Sequence, residues 1–178
     1  EVDKRAERGF RRPGEVLLLI GEERGELGAS EVLYLLTGKE FGHPPRLDLG
    51  REKAVQEAIR DLIQRGLTRT AHDVAEGGLL LALAEMTFPY GVGATVEVRE
   101  EGLEALFGEA PSRLLFTVEK TRLQEATLLL EERGLPYRVL GETGGKSLTV
   151  LTPGGVLEWS LEELLSAWKA PLREVLDG

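Results

Sequence analysis

The stretch "GGLLLALAEM", Gly77 to Met86, is apolar around nearly the whole circumference that a helix would present. A helix without a polar face cannot lie on a surface, so the rest of the chain has to enclose it. Strand and helix signals on both sides supply the material. Glu15 to Ile20 follows the Pro13-Gly14 turn signal, is rich in Leu, Val and Ile, and stops at Gly21, which predicts a buried strand. "ASEVLYLLTG" predicts a short helix closed by Gly38. From Arg51, the spacing of Val55, Ala58, Ile59, Leu62 and Ile63 predicts a long amphipathic helix capped by Gly66. Arg69 to Asp73 reads as extended, and Gly77-Gly78 open the apolar helix, which the Pro89-Tyr90-Gly91 turn ends.

The second half alternates. Ala94 to Val98, "RLLFTVE", Tyr137 to Gly141 and Leu148 to Leu151 read as strands, and "EGLEALFG" as a short helix. Thr121 with Gln124, and Ser160 with Glu163, each form a capping-box pattern at a helix start. The last helix shows Leu164, Leu165 and Trp168 on one face, and Pro171 is expected to break or kink it. Five strands interleaved with five or six helices predict an α+β fold, a three-layer α/β/α sandwich with a mixed sheet. The helix from Arg51 to Arg65 and that from Gly78 to Thr87 should cover this sheet. The expected organisation is a linker over residues 1–14 and a single domain over 15–178. The polar start without Met reads as a cut from a longer chain.

Composition narrows the function. The net charge of −9 disfavours nucleic acid and anionic membrane as partners, since both need a basic face. The absence of cysteine removes disulfides, thiolate nucleophiles and cysteine-held metal, and fits a cytoplasmic location. No Asn and an excess of Arg over Lys point towards a thermophilic or GC-rich source. The apolar runs fall short of the roughly 20 residues that a membrane-spanning helix needs.

"GETGGKSLTVL" contains Gly-Gly-Lys-Ser, but Leu140 stands where a phosphate loop of the Walker type needs glycine, and a strand follows where a helix is required. A hairpin turn is expected instead. No serine lies in Gly-x-Ser-x-Gly, and His43 and His72 are too few for a histidine metal cage. "AHDVAEGG" is the exception: polar residues follow an extended segment and two glycines stand at a helix start. Converging N–H groups there can hold an anion. On the other reading, Asp73 and Glu76 cap the helix and the glycines allow close packing.

"TAHDVAEGGLLLALAEM" closely resembles the His-Asp-Val-Ser-Asp-Gly-Gly-Leu signature in the final domain of the phosphoribosylformylglycinamidine synthase family. "LGASEVL", "LDLGREKAVQEAIRDLIQRGL" and "LFGEAPSRLLFTV" are similar to further motifs of that family, in the same order. Sister families of this fold, such as aminoimidazole ribonucleotide synthetase, carry different residues at the first motif. The resemblance implies an ATP- and magnesium-dependent enzyme of purine biosynthesis that converts formylglycinamide ribonucleotide and glutamine-derived ammonia to the amidine. It implies two kinds of partner: preceding ATP-binding domains of the same polypeptide, and a glutaminase domain or subunit. The isolated fragment is expected to hold no cofactor and no metal.

By the same resemblance, Asp73 and Glu109 fall where the first-half copy of this domain presents acids to substrate, and Arg113 matches the arginine that closes that motif. His72, Glu76, Gly77, Gly78 and Ser112 complete the candidate ligand-binding or auxiliary-site set, and no residue is assigned a catalytic role. The chain departs from the first-half pattern at His72-Asp73, at Ala110-Pro111 and at Ala75, which replaces a serine. These departures favour a scaffold domain or the lining of a second nucleotide site that does not turn over. The rival readings are a free-standing interaction or regulatory domain, or the C-terminal domain of another related ATP-dependent enzyme. Asp73 is expected to cap the turn, and Glu109 to be neutral.

Overall fold

A computed structural model describes residues 4–177; Glu1 to Asp3 of the expected linker and Gly178 lie outside the described residues. Seven strands form one sheet: β1 (Glu15–Ile20), β2 (Ala71–Asp73), β3 (Ala94–Glu97), β4 (Leu114–Glu119), β5 (Tyr137–Thr143), β6 (Ser147–Thr152) and β7 (Gly155–Ser160). Their order is β2-β4-β1-β5-β3-β6-β7. Every neighbouring pair is antiparallel except β3 with β6, which is parallel, so the sheet is mixed as expected.

β1, third in that order and paired on both edges, has all six residues buried, because it is covered on both faces. Side chains alternate along a strand. Leu17 and Leu19 therefore join one apolar cluster with α3 (Gly78–Thr87), while Val16, Leu18 and Ile20 join a second with α2 (Leu49–Gln64) and α5 (Leu123–Glu132). Each such side chain contributes about 1.5–3 kcal/mol over its exposed state. Two clusters on opposite faces of one sheet are the three-layer α+β arrangement.

α2 buries Val55, Ala58, Ile59 and Leu62, four of its five expected core positions, and Gly66 follows in the left-handed conformation (φ 66°). Its start is closed by Asp48, whose carboxylate accepts the N–H groups of Gly50 and Arg51 at 2.8 and 3.0 Å. α1 (Glu31–Thr37) and α4 (Leu103–Phe107) are short. Residues 4–10 run against β2 and α3: Glu7 bridges to Thr70, and Phe10 is fully buried.

Several local expectations are corrected. The Thr121/Gln124 capping box does not form, because a 3-10 turn over Lys120–Arg122 comes first and α5 starts with no side-chain cap. The Gly144-Gly145 turn is not a hairpin, since β3 lies between β5 and β6 and the turn crosses its end. The hairpin is the next connection, Pro153-Gly154, which joins β6 to an edge strand, β7, that the sequence did not announce. The Ser160/Glu163 box does form: the Glu163 N–H donates to Ser160 Oγ at 3.2 Å, and the Ser160 N–H to Glu163 Oε2 at 2.8 Å. Helix α6 (Leu161–Asp177) continues through Pro171, which therefore does not break it.

Candidate functional site

The site is built where β2 hands the chain to α3. β2 pairs with β4, placing Asp73 opposite Leu114, and the Val74 N–H donates to the Arg113 carbonyl at 3.0 Å. The chain then turns through Ala75 and Glu76 into two successive left-handed glycines, Gly77 (φ 76°) and Gly78 (φ 69°). Only glycine enters that region without steric cost. A Cβ on Gly78 would also stand 2.5 Å from the Phe107 carbonyl carbon, so the close packing expected of the glycine pair is present.

Neither Asp73 nor Glu76 caps α3. Its N-cap is Gly77, which has no side-chain acceptor of its own. The cap comes from a distant loop: one oxygen of Glu109 accepts the Gly77 N–H at 2.9 Å and the Glu31 N–H at 3.0 Å. Glu109 thus ties the start of α3 to the start of α1, correcting the expectation that it is neutral. Its own backbone is fixed by a bridge to Glu26. Asp73 points outward, and its side chain meets His72 Nδ1 at 3.2 Å.

Ser112 and Arg113 belong to the same loop. Ser112 has φ 60°, uncommon for a residue with a side chain, and its hydroxyl donates to Glu52 Oε2 at 2.7 Å. Bonds from Gln56 and from Ser112 hold the Glu52 carboxyl below its usual range. Arg113 is 4% exposed. Its guanidinium donates to three backbone carbonyls, those of Glu22 at 2.9 Å, Gly108 at 2.8 Å and Glu23 at 2.5 Å. Burial pulls its pKa down to about 10, so it stays charged at neutral pH.

These elements enclose a cleft of about 590 Å³ that brings together Asp73, Glu76, Glu109, Ser112 and Arg113. His72 is not part of it. It faces the other way, with Nε2 at 2.7 Å from Glu85 Oε2, and Arg8 stands 3.8 Å from the same oxygen. Gly78 is packed against α4, and Gly77 borders a second cavity. Sequence reasoning missed Glu52 and Gln56, which line the cleft from α2. Only their place on the first turns of an amphipathic helix could have marked them. Among the described residues, no three acids or histidines are grouped so as to hold a metal ion.

The second cavity, about 520 Å³, was also missed. α3 buries seven of its ten residues, but Leu80 and Leu81 are only half-buried and face this space together with Leu35, Phe107, Trp159 and Leu164. The expectation that α3 is enclosed on every side is corrected accordingly.

Fold and cleft together define an α+β sandwich domain with a polar cleft at a strand-to-helix turn. The chain belongs to the family of AIR synthase related proteins, C-terminal domain, whose model matches residues 12–152. It is 99% identical over all 178 residues to the phosphoribosylformylglycinamidine synthase subunit PurL of Thermus thermophilus, and it spans 25% of that protein. Its fold is shared with T. maritima PurL complexed with FGAR, at a TM-score of 0.80 and 20% identity, covering 91% of this chain and 29% of that one. The same protein complexed with ATP gives a TM-score of 0.73 over 91% of this chain and 27% of that one, again at 20% identity.

Proposed function

We propose that this chain is the C-terminal part of a phosphoribosylformylglycinamidine synthase subunit and serves it as a scaffold, completing the architecture around chemistry performed elsewhere. Its 99% identity to one quarter of the Thermus subunit supports the first half of that reading. In the whole polypeptide, ATP, with magnesium, would transfer its terminal phosphoryl group to the glycinamide carbonyl oxygen of formylglycinamide ribonucleotide and leave as ADP. Ammonia then displaces phosphate to give the amidine. The ammonia comes from glutamine, through a glutaminase domain or subunit. The domains that bind ATP precede this one, residues 1–14 lead from them while packing Phe10 into this domain's core, and the assembly works in the cytoplasm.

The observation that carries the scaffold reading is that the cationic side chain lining the cleft, Arg113, and the amide that opens α3 beside it are already engaged. The Gly77 amide is taken by Glu109 and the Arg113 guanidinium by three carbonyls. The other ionisable side chains lining the cleft are the carboxylates of Glu52, Asp73 and Glu76. A triphosphate placed there meets like charge on several sides, so the residues do not fit a nucleotide. Asp73, Glu76, Ser112 and Arg113 are therefore read as the lining of a relict cleft, with Glu109, Gly77 and Gly78 as its structural hinge.

The test is phosphate release from ATP by the isolated chain. None above a matched blank is expected. Release that survives repurification and disappears on changing Asp73 or Glu109 would overturn the scaffold reading.

A further inference from the structure

The exposed apolar residues cluster in one stretch of the chain. Of thirteen large hydrophobic side chains exposed among the described residues, six lie between positions 34 and 49: Tyr34, Leu35, Leu36, Phe41, Leu47 and Leu49. Leu35 is 78% exposed and Leu49 74%. α1, which carries three of the six, has seven residues and buries none. A helix of that length is not stable in water on its own propensity. It is held by its ends: Ser30 Oγ accepts the Leu33 N–H at 3.3 Å, Gly38 closes the helix at φ 67°, and Glu109 grips the Glu31 N–H.

α1 is also one wall of the apolar cavity. Val32 and Leu35 line it from α1, with Leu80, Leu81 and Ala84 of α3, so the exposed Leu35 joins the outer apolar residues of α1 to the cavity. The polar side chains on the cavity's rim are the acids Glu31 and Glu76. That lining is wrong for a polar metabolite and right for a protein side chain. A continuous apolar patch of this kind marks a contact surface in a soluble protein.

The relatives say how much polypeptide is available to cover it, because this chain spans only 25% of the Thermus subunit. We propose that the α1 face and its cavity are the seat of another domain of the same polypeptide, which lays an apolar surface over Tyr34, Leu35 and Phe41. A large side chain of that domain fills the space between α1 and α3. The proposal rests on the reading that the chain is one part of a longer synthetase subunit. It adds which face of the domain is turned towards the remainder.

Hydroxyl-radical footprinting of the full-length subunit tests it with a matched internal reference. Tyr34 is 47% exposed in this domain and Tyr90 46%, and they lie on different elements. In the full polypeptide Tyr34 should be oxidised about fivefold less than Tyr90, since the centre of a packed interface excludes water. Leu35 and Leu36 should fall below the exposed Leu128 of α5 in the same way. Leu35→Asp changes a side chain that touches solvent in this domain, so its fold is not challenged, and it should raise Tyr34 oxidation to the Tyr90 level. Equal oxidation of the two tyrosines in the unaltered subunit overturns the proposal. Protection that appears only as protein concentration rises also overturns it, assigning the face to a second copy. The same preparation is assayed for amidine synthesis from formylglycinamide ribonucleotide, ATP and ammonia. Synthesis without Tyr34 protection sinks the docking face alone, whereas protection without synthesis leaves the docking face standing and sinks the assigned activity.

Discussion

Glu109 and Gly77 lie 32 positions apart in the chain, yet the Glu109 carboxylate is the cap of the helix that Gly77 opens, at 2.9 Å. The same oxygen holds the first N–H of α1. An acid that by resemblance matches a substrate-facing acid of the first-half copy is here turned inward onto backbone.

Removing that carboxylate leaves two N–H groups without their acceptor, that of Gly77 half-buried and that of Glu31 exposed to water. Glu109→Ala should therefore destabilise the domain by about 1–2 kcal/mol, the range for a lost helix cap with some solvent compensation. Glu109→Gln keeps an acceptor oxygen and should recover most of the loss. Denaturant titration reads both, and an unchanged midpoint for Glu109→Ala would remove Glu109 from the hinge.

Asp73 should behave in the opposite way. Its side chain is 75% exposed, and its described bond is to His72. Asp73→Ala should shift stability by no more than about 0.5 kcal/mol, as surface changes away from caps and cores do. A loss near that of Glu109→Ala would restore the capping role that the sequence suggested.

Arg113 supplies the largest single effect expected in the loop. Truncation strands the carbonyls of Glu22, Gly108 and Glu23 in a buried site. Arg113→Ala should cost about 3 kcal/mol or more. Arg113→Lys should rescue little, because an ammonium point cannot span three acceptors set out for a planar fork. Thermal melts of the two variants check this; a full rescue by Lys would show that charge alone matters there.

Acid sensitivity follows from Glu52. Bonds from Gln56 and Ser112 depress its folded pKa below the ordinary glutamate value. A depressed carboxyl contributes stability that is present above its unfolded pKa and lost as pH falls through the folded one. Unfolding free energy measured from pH 6 down should thus fall less steeply below about 4.3 in Glu52→Gln than in the parent. Parallel acid limbs for the two proteins would contradict the bonding described.

What the sequence made legible were the features set by near neighbours. β1 announces itself by five consecutive apolar residues, Val16 to Ile20, between a Pro-Gly turn and Gly21, and α2 by the spacing of Val55, Ala58, Ile59 and Leu62. The Ser160/Glu163 box reads correctly because both members lie in one turn. Thr121/Gln124 shows the same letters, but the chain leaving β4 tightens into a 3-10 turn first. Strand order was out of reach: β3 slips between β5 and β6, so a glycine turn that looks like a hairpin spans a third strand. The site divides along the same line. The Gly77-Gly78 turn is a local signal, while the roles of Glu109 and Arg113 depend on backbone groups brought from residues 22, 23, 31 and 77.

The scaffold reading is tested most directly by steady-state kinetics of the full-length subunit carrying Asp73→Ala and Glu76→Ala together, with its glutaminase or with ammonia supplied. Both acids line the cleft, and neither caps α3. The kcat and kcat/KM are expected within about threefold of the parent, with an unchanged melting temperature, since groups outside the chemistry leave transition-state stabilisation intact. A fall in kcat of about a hundredfold or more with the melting temperature unchanged is what losing a group that acts on the transition state looks like. That result would overturn the scaffold role and place part of the reaction in this domain.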